Sequence, residues 1–200
     1  MKLYITPMSP YARLARIVVI EKELGDRVEI IQAKTRSVGS PYYQVNPSGR
    51  VPYLVTDTGI GMEDSQLICA YLDGLDGKPR FHHPSRDTDW AYRRLDASAR
   101  SLCDGISVWT REMQRPENER SPTVLAHEAA RMQRMADFFE TQVAGPPLQE
   151  PPGMAHLMLT VALECAQKRG PGSLTDSRPQ LAAWQLRMFE RPSIRATALS

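Results

Sequence analysis

Apolar and polar positions follow one rule in the first eighty residues and another in the rest of the chain. Short runs of β-formers alternate with helical stripes up to about Leu75, whereas from Trp90 onward the spacing is helical almost throughout. Leu3, Tyr4 and Ile5 lie in a first run, Lys2–Ile5, which Thr6-Pro7-Met8-Ser9-Pro10 breaks. Leu14, Ile17, Val18 and Leu24 then recur at helical spacing. Ser9 is a preferred N-cap, and Pro10 suits the first helical position, where no backbone N–H is needed. Gly25 is placed to stop that helix. Val28–Ile31 predicts the next strand, and the Gly-, Ser- and Pro-rich passage Ser37–Pro47 predicts a short or irregular helix. Tyr53–Thr56 and Gly61–Glu63 predict a hairpin about Asp57-Thr58-Gly59. Ser65–Leu72 predicts a third helix, started by Asp64 or Ser65. The order β-α-β-α-β-β-α is that of a thioredoxin-like domain, a small mixed sheet with helices on its faces.

The passage Gly74–Asp89 is rich in Gly, Pro and polar residues and reads as a linker. Beyond it the pattern predicts long helices from Trp90 to about Arg115 and from Pro122 to Val143, then Met154 to about Lys168 and Pro179–Arg191. The expected fold class is α/β plus all-α, with a thioredoxin-like domain over 1–75, a linker over 76–89 and an all-helical domain over 90–200.

Charge narrows the range of partners. The 25 Lys and Arg against 23 Asp and Glu leave +2, shared evenly between the halves: 10 against 9 over 1–80, and 15 against 14 over 81–200. So small and even a charge gives a nucleic acid or a membrane surface no electrostatic footprint. No stretch approaches the ~20 apolar residues of a membrane helix, and the N-terminus has no run suited to a signal peptide. Cys69, Cys103 and Cys165 are far apart and lack CxxC spacing, so neither a disulfide framework nor a zinc site is expected and a reducing cytoplasm is the default. His82-His83, His127 and His156 show no ligand spacing either.

Three local features carry candidate chemistry. Ser9-Pro10-Tyr11 puts a hydroxyl at a strand-to-helix junction, where backbone N–H groups and the helix dipole favour an anion. The same serine is also read as a plain N-cap. In Asn46-Pro47-Ser48-Gly49-Arg50-Val51-Pro52-Tyr53, a proline enters a strand, which requires an edge or a special geometry such as a cis Val51–Pro52 bond. Such a bend leaves the Val51 backbone for an extended peptide ligand; a bland turn is the competing reading. Glu63-Asp64-Ser65-Gln66 lies where strand gives way to helix, so Ser65 suits a ligand carboxylate and Asp64 an ammonium group, or the pair is an ordinary cap.

Together the segments MKLYITPMSPYARLARI, NPSGRVPYLVTDTGIGMEDSQLICAYL and PQLAAWQLRMFERPSIRAT resemble the cytosolic glutathione S-transferases, most closely their serine-type bacterial members. The resemblance implies the glutathione S-transferase fold, a homodimer, and conjugation of the glutathione thiolate to small hydrophobic electrophiles, with glutathione as co-substrate and no metal. It implies that Ser9 hydrogen-bonds the glutathione sulfur, that Val51 and the cis-proline Pro52 pair with its cysteinyl part, and that Asp64 and Ser65 hold the γ-glutamyl end. Lys34 and Arg50 are both candidates for the glycyl carboxylate. A hydrogen bond to a charged group, roughly 1.5–3 kcal/mol, lowers a thiol pKa of about 8.5 by ~1–2 units, enough to populate thiolate at neutral pH. Met8, Tyr11, Cys103 and Trp109 are candidates for the electrophile pocket. The stripe Leu102, Cys103, Ile106, Trp109 and Met113 also reads as core.

Two other functions share this scaffold: a non-catalytic glutathione-binding or regulatory protein, and a glutathione-dependent thiol-disulfide reductase. The second calls for a cysteine where Met8, Ser9, Pro10 and Tyr11 stand. One motif departs from the family. Its Ser/Thr-x-x-Asp capping box is replaced here by Gly153 and His156, and His156 is not expected to do the work of the carboxylate. On that reading, Gly153→Ser with His156→Asp raises the melting temperature.

Overall fold

The structure is a computed structural model that describes residues 1–82, 89–149 and 151–199. The predicted linker lies partly outside those residues, as does His83. The chain forms two compact units, Met1–His82 with Ala196–Ser200, and His83–Arg195.

The first unit runs β1 (Lys2–Ile5), α1 (Pro10–Glu21), β2 (Glu29–Gln32), α2 (Tyr42–Val45), β3 (Tyr53–Val55), β4 (Gly61–Glu63) and α3 (Ser65–Gly74). The four strands make one mixed sheet in the order β2-β1-β3-β4. Strand β1 is parallel to β2 and antiparallel to β3, and β3 is antiparallel to β4. Leu3, Ile5 and Leu54 of the sheet, Leu14, Ile17 and Val18 of α1, and Ile68, Cys69 and Leu72 of α3 are all buried and make this unit's core. The expected βαβαββα order is the observed one.

Helix α1 ends differently from the expectation. It is Glu23, at φ 54°, and not Gly25 that takes the left-handed conformation. Leu24 N–H then reaches Val19 O at 2.9 Å and Glu23 N–H reaches Ile20 O at 3.0 Å, a Schellman pair that turns Leu24 into the core. Strand β2 begins one residue later than expected, because Val28 N–H is held by Leu24 O at 3.0 Å.

Asp73, near the end of α3, is fully buried. Its Oδ1 accepts from Arg80 N–H at 3.0 Å, and its Oδ2 from Phe81 N–H at 2.9 Å and His82 N–H at 2.8 Å. Residues 80–82, read from sequence as linker, are thereby tied to the first unit.

The helical unit comprises α4 (Trp90–Met113), α5 (Pro122–Gln142), α6 (Pro146–Gln149), α7 (Met154–Arg169), α8 (Pro179–Phe189) and α9 (Pro192–Ala196), with a 3-10 turn at Glu117–Glu119. The short α6 sits in the Pro-rich break, and the helix predicted over Pro179–Arg191 ends two residues earlier, at Phe189, with a further short helix, α9, starting at Pro192. Helix α7 is buried all round from Met154 to Ala166, with His156, Thr160 and Glu164 among otherwise apolar residues, so it forms the centre of this unit. Gly105 lets α4 approach α5: a Cβ there would lie 2.7 Å from the Glu128 carboxylate, which pairs with Arg131 at 3.2 Å.

The start of α7 overturns the reading of His156. Its Nδ1 accepts from Gly153 N–H at 3.1 Å, which is the role of the missing carboxylate. The hydroxyl that Gly153 cannot supply comes from α4, where Tyr92 OH accepts from Ala155 N–H at 3.1 Å. The imidazole also packs between the rings of Tyr92, at 6.3 Å, and Trp184, at 6.1 Å. An aspartate would lose that packing and bury a charge, so His156→Asp is expected to destabilise by about 2 kcal/mol. That corresponds to a melting temperature lower by roughly 5 °C in a chain of this size. A rise measured by calorimetry for the double variant Gly153→Ser with His156→Asp would restore the sequence-based expectation.

Candidate functional site

The pairing register brings the three sequence motifs together. Tyr4, near the end of β1, pairs with Tyr53 at the start of β3, and Tyr53 pairs with Glu63 at the end of β4. Ser9, the Val51–Pro52 step and the Asp64–Ser65 turn therefore leave the sheet at the same end. This is the carboxyl end of β1 and β4, and segments 43 residues apart in sequence flank a common edge (Ser9 to Pro52).

Ser9 is half-buried and caps α1, its Oγ accepting from Ala12 N–H at 3.2 Å. That contact uses a lone pair and leaves the O–H able to donate. The cap reading and the anion-site reading of Ser9 are thus compatible. Pro10 at the first helical position holds the turn, and Met8 and Tyr11 flank the serine, exposed and half-buried respectively.

The Val51–Pro52 bond is cis. Strand β3 begins at Tyr53, so the backbone N–H and C=O of Val51 are not consumed by the ladder. The approach to Val51 is fastened from several sides. Asn46 Nδ2 donates to Arg50 O at 3.0 Å, and Tyr42 OH donates to the same oxygen. Burial pushes the Tyr42 phenol up, a shift opposed by Asn46 and reinforced by Tyr53, Glu63 and Tyr4, so Tyr42 keeps its proton as donor. Gly49, at φ 67°, sits where a Cβ would strike the Tyr43 ring at 2.6 Å.

Asp64 has φ 77° and ψ 122°, a conformation that L side chains rarely adopt. Its Oδ1 caps α3, accepting from Gln66 N–H at 2.7 Å and Leu67 N–H at 3.4 Å, while Ser65 is buried beside it. The strained turn was not legible in the sequence. The nearest signal is the acid itself, which marks the cap of α3 but not the backbone conformation behind it. Lys34 and Arg50 are both exposed.

In the helical unit Leu102, Cys103 and Ile106 are fully buried, whereas Trp109 is half-buried. The Cys103 side chain therefore belongs to the core of that unit. All three cysteines are buried and none forms a disulfide. Among the described residues no group of His, Cys, Asp or Glu is arranged to hold a metal ion, and no helix is long and apolar enough to cross a membrane.

The fold defines a two-domain protein, a thioredoxin-like unit followed by an all-helical one. Residues 3–80 match the family described as glutathione S-transferase, N-terminal domain. The uncharacterized GST-like protein YibF of Escherichia coli is 28% identical over 203 residues, 98% of each chain. A glutathione S-transferase of Methylobacillus flagellatus, solved with glutathione bound, superposes with a TM-score of 0.89 at 24% identity, over 100% of this chain and 99% of that one. A glutathione transferase family member of Pseudomonas fluorescens, also with bound glutathione, gives a TM-score of 0.87 at 26% identity over 100% and 98%. Residues 3–80 thus belong to the glutathione S-transferase N-terminal domain family, and the whole chain has the glutathione S-transferase fold.

Proposed function

We propose that this protein is a serine-type glutathione transferase that conjugates the glutathione thiolate to small hydrophobic electrophiles. The observation that carries this reading is the convergence of Ser9, Val51–Pro52 and Asp64–Ser65 at one end of the sheet. In this reading Val51 pairs its backbone with the cysteinyl part, in the manner of an added strand. Asp64 and Ser65 hold the γ-glutamyl end, and Pro52 fixes the approach. The Ser9 hydroxyl donates to the sulfur while Ala12 N–H donates to Ser9, and the helix start adds positive potential. The protein needs no separate base: held as thiolate, the sulfur attacks the electrophile and the leaving group departs with the bonding electrons.

We assign Met8 and Tyr11 of the first unit to contacts with the electrophile; in the helical unit the half-buried Trp109 is a further candidate, and Cys103 is not, being fully buried. The protein works as a cytoplasmic homodimer in this proposal, as the family resemblance implies. The reductase reading loses support because no cysteine stands at the start of α1 and all three thiols are buried.

Calorimetric titration with glutathione, followed by conjugation of chlorodinitrobenzene read by absorbance, tests the proposal. Binding together with saturable conjugation is expected. Binding without turnover on a panel of aryl halides, epoxides, unsaturated carbonyls and peroxides would make the protein a glutathione-binding module. Absence of binding would overturn both.

A further inference from the structure

Glu63, the last residue of β4, ties together the two backbone segments that flank it in space. Its Oε2 accepts from the Ser48 hydroxyl and from Asn46 Nδ2, the latter at 3.2 Å. Both donors belong to the loop leading into Val51. Within that loop Asn46 Oδ1 accepts from Ser48 N–H at 3.1 Å, and Ser48 Oγ accepts from Arg50 N–H at 3.2 Å. Asn46 Nδ2 is shared between the Glu63 carboxylate and Arg50 O, at 3.0 Å. Ser48 likewise links the carboxylate to the Arg50 backbone. On its other side Glu63 is bonded directly to Asp64, whose φ of 77° aims the turn into α3.

The sheet alone does not set this spacing. Strand β4 has three residues, its ladder to β3 ends at the Tyr53–Glu63 pair, and Val51 lies outside it. Beyond that pair the loop and the turn are joined through the Glu63 side chain. Since hydrogen bonds to a charged acceptor are stronger than neutral ones, a carboxylate with two donors is a stiffer tie than a neutral side chain would make.

We propose that Glu63 is a positioning residue that fixes the distance between the Val51 backbone and the Asp64–Ser65 turn, and thereby sets the affinity for the γ-glutamyl-cysteinyl part of glutathione. The proposal rests on the functional reading above. Glu63 touches neither the sulfur nor the electrophile in it, so its loss acts on binding and not on the chemical step.

Steady-state kinetics and calorimetric titration on Glu63→Ala, Glu63→Gln and Ser48→Ala test this. With two hydrogen bonds to an ionised acceptor removed, Glu63→Ala is expected to raise the Kd and KM for glutathione about tenfold. Its kcat at saturating glutathione stays within about twofold of wild type. Glu63→Gln keeps one acceptor oxygen and falls between the two. Ser48→Ala shifts KM in the same direction, and adding it to Glu63→Ala produces less than the product of the separate effects, because both act through one contact. The dipeptide γ-glutamylcysteine should lose affinity by the same factor as glutathione. Wild-type affinity in Glu63→Ala would overturn the inference alone, as would kcat falling in step with a raised KM. If wild type binds no glutathione, the functional reading falls and this inference with it.

Discussion

Ser9→Ala is expected to lower conjugation at neutral pH by about ten- to a hundredfold, with most of the loss recovered in alkali. The size follows from the hydrogen bond it removes: roughly 1.5–3 kcal/mol to a charged partner is ~1–2 pKa units of the bound thiol. Where thiolate limits the rate, turnover falls in proportion to the thiolate fraction, and the rising limb of the pH–rate profile moves to higher pH by the same amount. Ser9 also caps α1 through Ala12 N–H at 3.2 Å, so the variant is expected to lose about 1 kcal/mol of stability as well. The two effects separate cleanly. A lost cap lowers the melting temperature without moving the pH–rate profile, whereas a lost thiolate partner moves the profile. Titrating the ultraviolet absorbance of bound thiolate in wild type and variant reads the shift directly. Equal conjugation at every pH would remove Ser9 from the chemistry.

The elements that position this serine were largely legible in the sequence. Alternation of short β runs with apolar stripes defined the order of the first unit, because each element must bury one face and the two periodicities differ. The cap at Ser9, the Pro10 start and the Asp57-Thr58-Gly59 turn are local features, and local features survive without knowledge of the fold. What was not legible depends on register or on distant partners. Glu63 reads as an ordinary acid at a strand end until the Tyr53–Glu63 pairing brings the Asn46–Arg50 loop to it. His156 was misread because the capping box was judged by its carboxylate alone. The imidazole Nδ1 is also an acceptor, and the missing hydroxyl comes from Tyr92, 63 positions away from Ala155. Glu23 took the left-handed position expected of Gly25 because burying Leu24 required the turn two residues earlier, which a propensity for Gly does not reveal. Asp73 did leave a signal. An acid in the last turn of a helix opposes the dipole, and such a local conflict calls for a compensating partner elsewhere.

That compensation makes Asp73→Asn the substitution expected to cost the fold most, about 3–5 kcal/mol, or roughly 10 °C in melting temperature. The buried carboxylate accepts three backbone N–H groups from residues 80–82, and Lys22 Nζ lies 3.7 Å away, itself held by Asp76 Oδ1 and Lys78 O at 2.8 Å each. An asparagine offers one oxygen and turns an NH2 group toward the remaining N–H donors, so at least one buried backbone donor is left without an acceptor. Burial opposes the charge on Asp73. The His82 side chain and the backbone N–H groups of Arg80, His82 and Phe81 outweigh that opposition and hold its carboxyl well below the ordinary carboxylate range. The sign of the pH dependence follows. With the folded carboxyl depressed, its contribution is complete above the ordinary value of 3.8 and is lost as pH falls from there toward the lowered one. Chemical unfolding of wild type and Asp73→Asn between pH 7 and pH 2 should therefore show a constant gap down to about pH 4 that narrows below it. A gap that stays the same throughout would mean that the stability of this segment comes from packing around Phe81 and not from the charge that Asp73 carries.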